Sequence, residues 1–373
     1  MRFAIENIRI FREDGTFAPG TLYVGGNKLI APCEVEKTMD GAGMLACPGL
    51  LDIHTHGCAG ADFTSADAGS LRKMADDYAS WGVTTVLPTL ASDTYENWLA
   101  AIRRIGEAGI PAYRGIHLEG RWLAPARRGA HAPELLKNPD AAEIRELSDA
   151  ARELPITRVS LATELPGGEA FLSACRERGI KPSQGHTDAD YAAAMRAFEA
   201  GAHCFTHLFN AMPPLHHRAG GPVAAALTEK GAYAELICDG LHIAPETVRL
   251  VYECKGSDRL ILISDSMAGT GCPDGAYDLA GQTAVLKDGR ALTPDGKLAG
   301  STLHLLHGVQ NLSRFCRIPF GKALLSATRT PAGYMGLLDR CGQLLPGTDA
   351  DLFLLPDENA ARPARVLRQG QWL

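Results

Sequence analysis

The sequence predicts an α/β fold, a (β/α)₈ TIM barrel accompanied by a small β-sandwich built from both chain ends. Three observations predict it. From residue 48 to residue 341, short apolar runs alternate with amphipathic stretches of about 10 to 15 residues, the rhythm of repeated βα units. Eight such runs follow one another, and both ends, 1–47 and 342–373, read as short strands and turns without a helical period. A chain of 373 residues leaves room for a barrel of about 250 residues and a smaller companion.

The N-terminal segment alternates apolar and polar residues from Arg2 to Phe11 and then turns at Asp14-Gly15 and Gly25-Gly26. The eight barrel runs end near His54, Leu87, Glu119, Leu161, His186, His207, Cys238 and Asp265. Between them, Leu71, Met74, Tyr78 and Trp81 share one helical face and Gly82 stops the helix. Tyr191, Met195 and Phe198 repeat that pattern before Gly201; Val248 and Val251 sit in a third helix that starts at Pro245 and ends at Gly256. A doubly wound open sheet is the rival architecture. It places a glycine-rich phosphate loop after its first strand, where this chain has His54-Thr55-His56. Residues 271–300 break the rhythm with three Asp-Gly turns and predict an inserted hairpin system after the eighth strand. Strand character returns from Gly342 to Leu355.

Composition narrows the function classes. The chain is 46% hydrophobic, 21% charged and 6% aromatic, as in ordinary soluble globular proteins. A net charge of −6 with no basic run gives no footprint for nucleic acid and no polybasic patch for a membrane surface, so an anionic ligand needs a local positive site. No signal-like apolar segment opens the chain and no run approaches the roughly 18 apolar residues of a membrane span, which predicts a cytoplasmic protein. Ten cysteines without a Cys-x-x-Cys pair read as reduced, mostly buried thiols.

The polar residues at the strand ends carry the chemistry, because barrel active sites form where strands open into loops at their C-terminal ends. His54 and His56, at i and i+2, point to the same side of a strand and can chelate one ion. Glu119 and Asp265 each close an apolar run, where a carboxylate is costly unless paired or metal-bound. His186 and His207 close the fifth and sixth runs. Taken singly, each reads as well as a hydrogen-bonded or ion-paired residue. Four histidines and two carboxylates at strand ends of one face predict a site for a divalent metal, and a mixed imidazole and carboxylate set suits Zn²⁺, Fe²⁺, Mn²⁺ or Co²⁺.

The segment from Pro48 to Gly57, containing His54-Thr55-His56, resembles the opening motif of the amidohydrolase superfamily. His117-Leu118-Glu119-Gly120, Arg127 to His131, Gly185-His186-Thr187, Thr206 to Met212, Asp239 to His242 and Ser264 to Ala268 are similar in order and spacing to the N-acetylglucosamine-6-phosphate deacetylases. That resemblance implies metal-dependent hydrolysis of an N-acetylated amino-sugar phosphate. By position it implies Glu119, His186 and His207 as principal ligands and His54 and His56, with Glu119 bridging and Asp265 completing the shell, for a second ion. It further implies Asp265 as the general base and then acid, His131 as donor to the acetyl carbonyl, and Asn210, Ala211 and His242 as sugar-phosphate contacts. Arg218 matches a residue that reaches a neighbouring subunit's site, which implies a homodimer; His216 and His217 are the alternative donors. Relatives usually have Gly-Pro after His-Leu-Glu, whereas this chain has Gly120-Arg121. Arg121 is read as steering an anion, pairing with Glu119, or facing solvent. An N-acetylgalactosamine phosphate or other N-acyl sugar phosphate is the rival substrate. A cyclic amidase or deaminase and a non-catalytic barrel are the rival functions; Arg158 to Glu164 offers no lysine for carbamylation on the fourth strand, and no ligand position is lost.

Overall fold

The computed structural model describes residues 2–373. Its centre is a parallel barrel of eight strands, Leu50–Thr55, Val83–Leu90, Ile116–Glu119, Ile156–Leu161, Lys181–Gln184, Cys204–Phe205, Tyr233–Ile237 and Leu260–Ile263. Each pairs with its neighbour in chain order, which excludes the doubly wound alternative. Between the first and last strands the seam is closed just past the final strand, where the Asp265 N–H donates to the His54 carbonyl at 2.9 Å. Five of the eight strands are buried at every residue and the other three at all but one, because a barrel strand is covered on both faces. Leu51, Ile53, Leu87, Ile237, Ile261 and Ile263 cluster together apart from the main core, while residues such as Leu50, Val86 and Leu262 join the core packed with the helices.

The helices are stopped by local chemistry. Helix Ala68–Ser80 is capped by the Asp67 carboxylate, which accepts from the Ser70 N–H at 2.7 Å, and it buries Leu71, Met74 and Tyr78. Gly82 follows with φ +85°, and a Cβ there would lie 3.0 Å from the Phe353 ring, so both backbone and packing require glycine. Helix Pro245–Arg259 breaks at Gly256, with φ +60°, where the pattern predicts its end. Helix Tyr191–Glu199 departs from expectation: Tyr191 is 45% exposed, and the face turned inward is Ala194 and Ala197. Small residues are needed there because the Gln184 side-chain amide donates to the carbonyls of Ala194 and Ala202 and draws the helix close to its strand.

The predicted insertion is a three-stranded antiparallel sheet, Gly275–Leu279, Gln282–Lys287 and Arg290–Leu292. It packs Leu279, Ala284 and Ala291 with Ala91, Ala130 and Met267, and the Gln282 amide donates to the Ala130 carbonyl at 2.7 Å. Both chain ends meet in one mixed eight-stranded sheet, joined where Leu45–Pro48 runs antiparallel to Leu352–Leu355. Among the described residues, no helix is long and apolar enough to cross a membrane.

Candidate metal centre

Six side chains converge above the C-terminal ends of the barrel strands. His54 and His56 arrive from the first strand and its edge, both on one side as their i, i+2 spacing requires. Glu119 ends the third strand. His186, His207 and Asp265 each lie two residues past a strand and have φ of +48°, +30° and +50°. Left-handed backbone is uncommon for residues other than glycine, although Asp and His adopt it more readily than most, and such strain, on the order of 1–3 kcal/mol each, clusters at functional sites.

Glu119 is the hub. Its Oε2 lies 3.1 Å from His54 Nε2 and 2.9 Å from His56 Nε2, while its Oε1 lies 3.1 Å from His207 Nε2 and 3.4 Å from His186 Nε2. Asp265 Oδ1 is 3.3 Å from His56 Nε2 and 3.6 Å from His54 Nε2. The donors form two groups that share Glu119: His54, His56, Glu119 and Asp265 in one, and Glu119, His186 and His207 in the other. All six side chains are buried.

The supporting contacts orient these rings. His186 Nδ1 lies 2.8 Å from the Arg127 carbonyl, which can only accept, so its proton is on Nδ1 and the Nε2 lone pair faces Glu119 and His207. His54 Nδ1 faces Glu235 at 3.4 Å, and the Glu235 carboxylate is held by the Arg158 guanidinium at 2.5 Å, all three fully buried. This is the carboxylate–histidine arrangement that orients metal-binding imidazoles.

The electrostatics fit a divalent cation. Burial opposes charge on Glu119, yet the imidazoles of His54, His186 and His207 outweigh it and hold its carboxyl well below the usual range. Burial likewise opposes protonation of His54 and His56, but Glu119 and Asp265 pull His54 well above its ordinary value and His56 to about 9. The two carboxylates thus draw protons onto imidazoles whose Nε2 atoms both face Glu119 Oε2 and Asp265 Oδ1. Trading those protons for a metal ion satisfies both the carboxylates and the ring nitrogens.

Beside the donors opens a cavity of about 470 Å³. His131, Asn210, Ala211 and His242 line it, together with Arg127, Arg128 and Lys297. His242 Nδ1 is 2.7 Å from Asp239, whose carboxylate also accepts the backbone N–H groups of Leu241 and His242. Arg218, His216 and His217 stand exposed outside the cavity wall. Arg121 does none of the three things read for it. Its guanidinium pairs with Glu143 at 2.8 Å and donates to the Asp93 carbonyl at 2.7 Å, away from the cavity. Glu235 and Ser92 were not anticipated. A carboxylate inside the apolar run Ala234-Glu235-Leu236-Ile237 was the available signal for the first; Ser92, a loop serine, gave none.

A model of the amidohydrolase family matches residues 45–373. The chain is 35% identical to the N-acetylglucosamine-6-phosphate deacetylase of Bacillus subtilis, over 83% of this chain and 80% of the relative. It is 33% identical to the N-acetylgalactosamine-6-phosphate deacetylase of Escherichia coli, over 97% of both chains. The structure superposes with a TM-score of 0.91 and 30% identity on a Mycobacterium smegmatis N-acetyl-D-glucosamine-6-phosphate deacetylase, an Asp-to-Ala mutant in complex with N-acetyl-D-glucosamine-6-phosphate, covering 100% of this chain and 98% of that one. Barrel, shared carboxylate and these likenesses agree: the chain belongs to the amidohydrolase family and, within it, to the N-acetylglucosamine-6-phosphate deacetylases.

Proposed function

We propose that this protein hydrolyses the acetamide of N-acetyl-D-glucosamine 6-phosphate to D-glucosamine 6-phosphate and acetate. The observation that carries the reading is the pair of donor groups sharing Glu119 at the floor of a cavity lined by His131, Asn210, Ala211 and His242. A volume of about 470 Å³ falls within the usual range for small-ligand pockets.

Glu119, His186 and His207 would hold one divalent ion, and His54, His56 and Asp265 with Glu119 a second; Zn²⁺, Fe²⁺, Mn²⁺ and Co²⁺ all suit these donors. Such an ion supplies Lewis acidity, which brings the pKa of water toward about 7 and polarises an acyl oxygen. Asp265 takes the proton from the attacking water. Burial pushes its carboxyl up, but His54 and His56 outweigh that and keep it ionised, as a base must be. The same carboxyl then returns the proton to the departing nitrogen. His131 donates to the acyl oxygen as charge builds there. Backbone and side-chain groups of Asn210 and Ala211, with His242, bind sugar and phosphate oxygens. Arg218, exposed beyond the cavity, reaches the equivalent site of a second subunit in a homodimer, where its planar fork takes a phosphate.

On this reading residues 48–341 form the catalytic barrel and residues 1–47 with 342–373 the small β unit. Ten free thiols suit a reducing cytoplasm. The Escherichia coli relative, aligned over 97% of both chains, favours the galactosamine epimer as a second reading. Metal-replete protein is incubated with N-acetylglucosamine 6-phosphate, its galactosamine epimer and unphosphorylated N-acetylglucosamine, and acetate and free amine are measured. Release from the glucosamine phosphate is expected to exceed the other two. A larger rate on the epimer reverses the assignment, and no acetate from either phosphate removes it.

A further inference from the structure

His131 differs from the metal-facing histidines in how its ring is held. Ser92, buried two residues past the second barrel strand, places its hydroxyl 2.7 Å from His131 Nδ1. The backbone N–H of Ser92 also points at Nδ1, at 3.4 Å. A third contact fixes the hydroxyl itself: the Arg121 N–H donates to Ser92 Oγ at 3.0 Å. That amide occupies one lone pair of the oxygen, and the Ser92 N–H, which can only donate, makes Nδ1 an acceptor toward which the hydroxyl hydrogen also turns. Two donors therefore converge on Nδ1, which must be the acceptor. The turn that brings the Arg121 amide there has φ of +154° at Gly120 and +55° at Arg121, and a Cβ on Gly120 would fall 2.5 Å from Ser92 N and Oγ.

We propose that Ser92, aimed by the Arg121 amide, is a positioning residue that keeps the proton of His131 on Nε2, so that the ring offers an N–H, and not a lone pair, to the acyl oxygen. The inference rests on the deacetylase reading of the site. It makes His131 the reverse of His186, whose Nδ1 proton goes to the Arg127 carbonyl and whose Nε2 lone pair faces the donor cluster. It also accounts for the place of His131 beside the cluster without membership in either donor group: its Nε2 is 4.0 Å from Glu119 and carries hydrogen. The opposite tautomer would set a nitrogen lone pair against an oxygen gaining negative charge. Loss of a donor at such an oxygen costs about 10²–10³ in kcat.

The test uses the intact zinc-loaded protein with ¹⁵N-labelled histidine, the His131 signals being identified by their loss in His131→Asn. At pH 7.5 the wild type is expected to show a protonated Nε2 and a bare Nδ1. Ser92→Ala removes the hydroxyl and keeps the backbone donor, so kcat should fall about 10- to 100-fold with KM within about threefold, and the ring should move toward mixed tautomers. Ser92→Thr, which retains the hydroxyl, should restore both readouts. A proton on Nδ1 in the wild type overturns the proposal, as does unchanged kcat in Ser92→Ala. Should the variants fail to fold, the wild-type spectrum decides alone. A wild type inactive on every amino-sugar phosphate refutes the substrate reading without touching the tautomer measurement, so the two failures are distinguishable.

Discussion

Replacing Arg158 with methionine isolates the ion pair beneath the metal centre. Arg158 and Glu235 are both fully buried, and the guanidinium is 2.5 Å from the carboxylate that faces His54. Breaking a buried pair by removing one partner costs about 3–5 kcal/mol, because the other charge is stranded. With 373 residues and an unfolding entropy of about 2.1 cal/mol/K per residue, each kelvin of melting temperature corresponds to about 0.8 kcal/mol. Arg158→Met should therefore melt about 4–6 °C lower. Calorimetry on chelator-stripped protein keeps metal affinity out of the comparison. The loss should depend on pH with a definite sign. In the wild type, burial pushes the Glu235 carboxyl up, but Arg158 and His54 outweigh it and hold it low. Without Arg158 burial dominates and the carboxyl rises above its unfolded value, so the native state binds the proton more tightly and stability falls as pH rises. The deficit should be smaller at pH 5 than at pH 8. Arg158→Met with Glu235→Leu should recover most of it, since no charge is then stranded. A melting temperature within about 1 °C of wild type, or an equal deficit at both pH values, would refute the reasoning.

Elemental analysis of protein carrying His54→Ala and His56→Ala should show one metal equivalent fewer per chain, with the ion at Glu119, His186 and His207 retained; unchanged content removes the histidine pair as a site. Asp265→Asn should lose about 10²–10⁴ in kcat while keeping more metal than Glu119→Gln, because Glu119 belongs to both donor groups. Arg121→Ala should leave KM within about threefold and lower the melting temperature by only about 1–3 °C, since Lys137 also pairs with Glu143 at 2.5 Å; a tenfold rise in KM would return Arg121 to the substrate. Arg218→Ala and Asp265→Asn chains, each poor alone, should on mixing recover about a quarter of wild-type sites by random pairing in a dimer. No recovery would confine Arg218 to its own subunit.

The barrel was legible because its strands are short apolar runs and its chemistry sits at their ends, where burial makes an ionisable residue conspicuous. His54, His56, Glu119, His186, His207 and Asp265 all lie where that reasoning looks, and the structure brings them together. Other features depend on contacts that spacing along the chain does not encode. Glu235 is recognisable as costly in an apolar strand, but its partners Arg158 and His54 lie 77 and 181 residues away across the barrel interior. Ser92 touches His131 across 39 residues of loop and strand. Arg121 is turned aside by Glu143, on a helix that begins 20 residues later. Tyr191 matched a helical stripe, yet the distance of its helix from the sheet chose alanines.

The barrel seam has a consequence for how the molecule holds its shape. His54 and Asp265 stand on either side of the junction between first and last strands, where the Asp265 N–H meets the His54 carbonyl. Thr55 and Ser266, their immediate neighbours, bond across the same junction at 2.6 Å over a separation of 211 residues. Joining ends so far apart in sequence carries a chain-entropy cost, which the stepwise pairing of the intervening strands lowers and the contacts at the seam must meet for the remainder. A cation held jointly by His54, His56 and Asp265 would act as a clasp at that junction, binding the two strands that chain connectivity leaves furthest apart. The donor group that prepares the chemistry would then also fasten the cylinder shut.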